Sequence, residues 1–195
     1  NDMTDIEYEN VVLKAKRTRS DEYAIKMRDE LRKLNDEQKK EVMANLSEAI
    51  KGIDTKAVDP AKFFDMSKWI NLVISAVTPI ATELFSKEAN AALDVIDEPG
   101  LDVENTPSAQ EAIANAMSLM SESYNLNTVE LLEEKITAGL EQGFGAQKLA
   151  ELISEVYEWK DITAAERVAR TESNRITNEA GKIAWKESGV VKEIK

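Results

Sequence analysis

A stretch of 31 residues, 21–51, contains neither glycine nor proline, and its apolar side chains recur every three or four positions. This spacing places them on one face of an α-helix, with Gln38 filling a gap in the apolar stripe. At 1.5 Å per residue the helix is expected to be about 45 Å long. The apolar members of the stripe are Tyr23, Met27, Leu31, Leu34, Val42, Leu46 and Ile50.

A stripe of this length is expected to be too long for a compact domain of this size to cover by itself. Apolar side chains left half exposed would form a patch large enough to mark an interface. We therefore expect this helix, together with a second one over 66–95, to dock on a ring-shaped or repeated partner, or on a second copy of the chain. The expected docking residues are Met27, Leu31, Leu34, Val42 and Leu46.

The most apolar segment, WINLVISAVTPIA at 69–81, predicts a second helix over about 66–95, kinked at Pro79. It is too short to span a bilayer and is interrupted by Asn71, Ser75 and Thr78. A core helix is therefore favoured over a membrane or interfacial segment. Trp69, like Trp159 further along the chain, is expected in the core.

Residues 97–108, DEPGLDVENTPS, are rich in proline and acidic side chains and are interpreted as a linker. They divide the chain into a helical arm, 1–96, and a C-terminal module, 109–195. The module is expected to hold a short helix over 108–123 and another that begins at Asn127 or Thr128. A glycine-containing break, GFGAQ at 143–147, should precede the next helix.

A capping box, Thr163-x-x-Glu166, predicts the start of the last helix, which should run to about Glu187 and stop at Ser188-Gly189. The alternating segment VVKEIK at 190–195 is typical of a strand. The fold class expected from these patterns is mainly α: long N-terminal helices and a small helical module that ends in a strand. Because one strand needs a partner, the module is interpreted as a truncated α+β domain.

Composition narrows the possible chemistry. The chain has no cysteine and no histidine, which removes thiolate nucleophiles, imidazole bases and the usual zinc ligands. We predict no metal, no cofactor and no catalytic residue. Residues 61–161 hold 6 basic and 18 acidic side chains, so this part should repel duplex DNA and membrane headgroups. Residues 162–195, with 7 basic and 5 acidic side chains, would tolerate only weak DNA contact.

The segment ARTESNR at 169–175 places a carboxylate where a core residue belongs. On a helical projection Glu172 falls at the centre of an apolar stripe, and Arg175 lies three residues further on. Glu172 is interpreted as a structural acid held by Arg175 or by backbone amides. A contact with another subunit and a catalytic role remain as alternatives. The opposite face is polar and could be an ordinary solvated surface, or bind phosphate or protein, through Arg167, Thr171, Asn174, Asn178 and Trp185.

The order of these features over residues 128–195 resembles the phage head-morphogenesis family of Mu F-type minor head proteins. The resemblance lies in a glycine-broken helix pair, ITAGLEQGFGAQKLAELI, and then an ARTE helix with a following asparagine and a glycine. The family continues with a tryptophan-led strand and an Asp/Cys-rich hairpin, before which this sequence is expected to stop. The matching positions are Gly143, Gly145, Arg167, Ala169, Arg170, Thr171, Glu172, Asn178 and Gly189.

The resemblance implies a structural virion protein at the portal vertex, present in few copies and acting in procapsid assembly and in genome packaging or delivery. The implied partners are the portal and capsid proteins, with self-association possible, and the implied locations are the virion and, during assembly, the host cytoplasm. Two alternatives stay open. The module could be the C-terminal extension of a portal fusion, or an enzyme similar to nucleotide-using transferases in which the Arg170-Thr171-Glu172 motif acts.

Overall fold

The computed structural model describes the backbone of residues 5–49 and 59–190 and the side chains of residues 13–46 and 59–190. Within these ranges the chain is mainly α-helical, as predicted, and contains no strand. A short 3₁₀ turn, Pro60–Lys62, precedes the second helix. The helices are α1 (Asp5–Ala49), α2 (Met66–Asp94), α3 (Pro107–Glu141), α4 (Ala146–Trp159) and α5 (Ala165–Glu187).

The helices supply residues to two compact units. The first unit consists of Asn1–Met27, Val77–Met117 and Ala169–Lys195, and the second of Arg28–Ala76 and Ser118–Val168. The core of the first unit includes several alanines of α5, whose small side chains allow close helix packing. The core of the second unit is built from larger side chains, among them Phe63, Phe64, Trp69, Leu132, Ile136, Ile153 and Tyr157.

Helix α1 begins well before the predicted position, at Asp5, and is helical through Ala49. The predicted apolar stripe is present, but its side chains are buried against other parts of the same chain. Met27 and Leu31 are fully buried, as are Val42 and Leu46, and Leu34 is half-buried against the second core. The premise that this stripe needs an external partner was wrong, because the other helices of each unit already cover it. Ile50 lies outside the described residues.

Helix α2 forms over the predicted range and contains Pro79. By length and composition alone it could cross a membrane. Its buried residues, however, recur every three or four positions from Trp69 to Leu93, which leaves other positions such as Glu83 and Lys87 exposed. This pattern is that of an amphipathic helix with one face in a protein core.

Helix α3 is continuous from Pro107 to Glu141, so the predicted break between residues 123 and 128 was wrong. Thr128, taken from the sequence as a possible N-cap, is buried in the helix and donates its hydroxyl proton to the Tyr124 carbonyl at 2.9 Å. Asn125 similarly donates through Nδ2 to the Ser121 carbonyl at 2.9 Å. A polar side chain can bond back to the preceding turn in this way, and the helix then continues.

The predicted break at Gly143 and Gly145 is present. Gly143 has a φ of +75°, a left-handed conformation that suits glycine. Its N–H donates to the Leu140 carbonyl, and the N–H of Phe144 donates to the Gly139 carbonyl at 2.9 Å. These two bonds form the Schellman motif that ends α3. Gly145 then occupies the N-cap position of α4 with extended backbone angles.

The predicted capping box at the start of α5 was wrong. A π-helical turn, Lys160–Ala164, joins α4 to α5 without a break, so Thr163 lies inside helical structure. Glu166 instead forms an ion pair with Arg28, with 3.3 Å between Oε2 and Nη1. Helix α5 ends as predicted, because Gly189 follows it with a φ of +68°.

The strand predicted over 190–195 is not found. Val190 lies in a bend, and residues 191–195 are outside the described part of the chain. The proposed linker, 97–108, lies inside the first unit, where Val103 is buried and the Thr106 hydroxyl accepts from the Ala109 N–H at the start of α3. The division into an arm, a linker and a module stays a prediction.

Candidate functional site

The ARTESNR motif lies on α5 and is divided between a buried and an exposed face. Glu172 and Ser173 are buried, whereas Arg167, Arg170, Thr171, Arg175 and Asn178 are exposed. This division matches the apolar stripe predicted for α5, since Ala169, Ile176 and Ala180 are buried on the same side as Glu172. Arg167 belongs to the second unit, and the other exposed residues belong to the first.

Glu172 sits at the edge of the first core with 9% of its surface exposed. Its Oε2 atom lies 3.5 Å from Nη1 of Arg175, in an ion pair whose geometry leaves that oxygen without a hydrogen bond. Burial raises the pKa of the Glu172 carboxyl above its ordinary value, and the positive charge of Arg175 opposes this shift. The pairing with Arg175 expected from the sequence is therefore present.

The polar face of α5, expected to be an open surface, partly contacts α1 instead. Ser20 donates through Oγ to Oδ1 of Asn174 at 2.9 Å, and Lys16 donates through Nζ to Oδ1 of Asn178 at 3.0 Å. These polar contacts hold the N-terminal third of α1 against α5. Further along, Trp185 donates its Nε1 proton to the Ala92 carbonyl at 3.0 Å, which ties α5 to the end of α2.

A second group of polar side chains, in the second unit, centres on Lys160. This lysine is the first residue of the π-helical turn and is only 2% exposed. Its Nζ donates to Oε1 of Gln38 at 2.6 Å and lies 4.2 Å from the centre of the Tyr124 ring. The ring centre of Tyr157 is 5.5 Å away. The ammonium therefore faces one strong acceptor and the negative faces of two rings.

The groups around Lys160 are themselves paired. Tyr157 donates to Oε1 of Gln38 at 3.2 Å, and Gln38 donates to Oδ1 of Asn125 at 3.0 Å. The Tyr124 hydroxyl donates to Oδ1 of Asn35 at 3.1 Å. Asn35 in turn donates through Nδ2 to a carboxylate oxygen of Asp161, the residue after the buried lysine.

The low dielectric of this site shifts the titration of its members. Burial lowers the pKa of Lys160 well below its ordinary value, while the nearby Asp161 carboxylate opposes this shift. Burial also raises the pKa of the Tyr124 and Tyr157 hydroxyls above their ordinary range. At neutral pH both tyrosines therefore stay protonated and act as hydrogen-bond donors.

Gln38 is the one residue of this cluster that the sequence marks as unusual. Gln38 interrupts the apolar stripe of α1 at a position that points inward, and Asn35 does the same three residues earlier. Lys160 was missed because a lysine is not expected on a buried face, although it follows the buried Val156 of α4 at helical spacing. Trp159, expected in the core, is 40% exposed because it lies off the buried stripe of α4, while Trp69 is buried as predicted.

Because Glu172 and Lys160 are buried, a substrate has little access to either side chain. Glu172 faces Arg175 rather than a second carboxylate, and Lys160 is enclosed by Gln38 and two rings. Over residues 13–46 and 59–190, whose side chains are described, no group of three or more acidic side chains is arranged to hold a metal ion. Both clusters have the geometry of groups that orient helices.

Comparison of the whole chain with models of protein families, with curated proteins and with solved structures finds no match in any of the three.

Proposed function

We propose that the chain is a structural module of a phage minor head protein, which acts with the portal and capsid proteins in head assembly. The observation that carries this proposal is the ordered pattern over residues 128–195: the Gly143–Gly145 break, the ARTE helix with Asn178, and Gly189. The described part of the pattern fits a helical module in which each glycine ends or begins a helix.

The arrangement of α5 supports a structural role for the motif. Glu172 anchors the buried side of the helix beside Arg175, and the same motif leaves Arg170 and Thr171 on the exposed side. Exposed arginines on a rigid helix are well suited to acidic protein surfaces, because guanidinium groups bind carboxylates in bidentate geometry. The partner-contacting surface proposed here is the exposed face of α5, in place of the buried stripe of α1.

The experiment follows the chain in phage particles. The tagged chain is expressed during phage growth, particles are purified, and mass spectrometry measures its copy number relative to the major capsid protein. We expect a few copies per particle. Arg167→Glu combined with Arg170→Glu should reduce incorporation at least about tenfold, since each lost charge-assisted contact is worth about 1.5–3 kcal/mol.

A matched control reverses two exposed lysines elsewhere, Lys40→Glu and Lys62→Glu, and should leave incorporation unchanged. An expressed and folded chain that is absent from purified particles would overturn the proposal. Peptides that run continuously from portal sequence into this chain would identify it as the C-terminal extension of a portal fusion.

A further inference from the structure

The first unit contains a groove of about 470 Å³ between α1, the end of α2 and the second half of α5. This volume is within the range of small-molecule sites, about 300–1,000 Å³. The apolar residues that line it are Leu13, Ala91, Ala92, Val95, Gly181 and Trp185.

The two ends of the groove differ in polarity. The hydrogen bond of Lys16 to Asn178 joins α1 to α5, and the hydrogen bond of Trp185 to the Ala92 carbonyl joins α5 to α2 two turns further along α5. The lysine, Asn178 and Thr177 therefore lie towards one end. At the other end are Trp185 together with Leu13 and Val95, which are 62% and 44% exposed.

The polar end contains a buried hydroxyl that has no partner. Thr177 is 3% exposed, lines the groove, and its Oγ1 makes no hydrogen bond. An unpaired buried hydroxyl is costly, by about 1–3 kcal/mol, so such a group is normally satisfied by a bound molecule or by water. Thr177 therefore contributes an unused hydrogen-bond donor to the wall at the polar end of the groove.

The charge of the lining is opposite to that of the chain. The chain has a net charge of −12, yet the charged residues of the groove are Lys16, Arg19 and Lys182 against a single acid, Glu88. Arg19 is paired with Glu88, with 2.6 Å between Nε and Oε1, and Lys182 is paired with Glu179, with 2.9 Å between Nζ and Oε1. Among the described residues, the Lys16 ammonium bonds only to the side-chain amide of Asn178, which is neutral. Lys16 therefore gives the polar end of the groove a positive charge that a bound anion would neutralise.

We propose that this groove binds a small organic acid with an apolar body. The carboxylate lies at the polar end, where it accepts from Lys16 Nζ and from the Thr177 hydroxyl. The hydrocarbon or aromatic body lies along Ala92 and Gly181 towards Trp185. This site is independent of the assembly role proposed above, because it lies in a groove rather than on the exposed arginine face of α5.

The test uses the purified full chain and decanoate below its micelle concentration, with binding followed by isothermal titration calorimetry. Decanol and decyltrimethylammonium serve as probes with the same tail and a neutral or positive head. Decanoate should bind at one site per chain with a Kd below about 1 mM, and decanol at least about tenfold more weakly, because it lacks the charge-assisted bond to Lys16.

Two pairs of variants locate the site. Ala92→Leu fills the groove and should weaken decanoate binding at least about tenfold, whereas Ala114→Leu, on an exposed position of α3, should leave it unchanged. Lys16→Gln should weaken binding about tenfold, and Lys186→Gln, which is exposed and outside the groove, should not change it.

Absence of saturable decanoate binding would overturn the proposal, as would equal affinity for decanoate and decanol. The same conclusion would follow if Ala92→Leu and Ala114→Leu behaved alike. Sedimentation of the unliganded chain gives a further check, since a dimer that Ala92→Leu abolishes would mean that a second copy occupies the groove.

Discussion

Two buried charges, one in each unit, differ in how well they are paired. Lys160 in the second unit has a strong acceptor, two aromatic faces and neighbours that are themselves hydrogen-bonded. Glu172 in the first unit has one cation at 3.5 Å and an oxygen without a hydrogen bond. The fully buried charge is therefore the one with more partners, as the high desolvation penalty of an interior charge requires.

The same contrast is found between two buried threonines. Thr128 in the second unit bonds to a backbone carbonyl one turn earlier, whereas Thr177 in the first unit has no partner. The second unit is not free of such groups, since the indole Nε1 of its Trp69 is also unpaired. The contrast therefore concerns particular side chains, and substitutions at matched positions can test it.

The largest effect is expected at Gln38. Gln38→Leu removes the acceptor of Lys160 and Tyr157 and the donor to Asn125, so it leaves a buried ammonium without its oxygen. We expect the free energy of unfolding, measured by urea denaturation, to fall by about 3 kcal/mol. Lys160→Met in the same background should recover a large part of this loss. If the double variant is as unstable as Gln38→Leu alone, Lys160 is not the group that needs Gln38.

Two helical glycines provide the next comparison. A Cβ at Gly139, in the second unit, would lie 2.6 Å from a methyl carbon of the buried Leu149, but a Cβ at Gly181 would lie 3.9 Å from that of Ala92. Gly181→Ala should stabilise the fold by about 1 kcal/mol through helix propensity. Gly139→Ala should destabilise it by about 1 kcal/mol, because overpacking exceeds that gain. Thermal unfolding of both variants checks the two signs, and equal stabilisation would contradict the close packing at Gly139.

The two threonines should respond in opposite directions to valine. Thr177→Val removes an unpaired hydroxyl and is expected to raise the free energy of unfolding by about 1 kcal/mol. Thr128→Val loses the bond to the Tyr124 carbonyl and should lower it by about 1 kcal/mol. Both changes keep a β-branched side chain, so helix propensity is nearly constant. A loss of stability in both variants would show that the Thr177 hydroxyl is paired in solution.

The smallest effect is expected in the pH dependence of stability, and its sign differs between the two charges. The folded-state pKa of Lys160 is lowered, so its contribution grows as the pH rises towards 10.5 and is lost as the pH falls through the folded-state value. The folded-state pKa of Glu172 is raised, so its contribution is present below pH 4.5 and is lost as the pH rises through the folded-state value.

Urea titrations across these two pH ranges measure the two slopes. Lys160→Met should flatten the alkaline rise, and Glu172→Gln should flatten the decline above pH 4.5. If Lys160→Met leaves the alkaline rise unchanged, other groups cause that rise. If Glu172→Gln leaves the decline above pH 4.5 unchanged, other groups cause that decline.

The sequence predicted the helices better than it predicted their ends. Hydrophobic periodicity located α1, α2 and α5. Gly143 and Gly189, which both have a positive φ, follow the ends of α3 and α5 as expected from the sequence. The predicted starts at Thr128 and Thr163 failed for a common reason. A short polar side chain can cap a helix or bond within one, and only the tertiary context decides between these outcomes.

The buried polar sites were predictable only in part. Glu172 and Gln38 interrupt apolar stripes, so the sequence marks both positions as unusual, and Arg175 could be paired with Glu172 by spacing alone. Lys160 could not be predicted, since a lysine is not expected on a buried helix face and its partners Gln38 and Tyr124 are distant in the chain. The same limit applies to the stripe of α1, whose covering helices could not be inferred from its own pattern.

The most direct test of the contrast between the two charges is a carbon-detected NMR titration of the full chain. It follows the lysine Cε and glutamate Cδ signals, which are assigned by comparison with Lys160→Met and Glu172→Gln. We predict that Lys160 titrates clearly below its ordinary pKa of 10.5 and that Glu172 titrates above its ordinary pKa of 4.5. Ordinary pKa values for both groups would contradict the account, because they would show that neither charge is buried in solution.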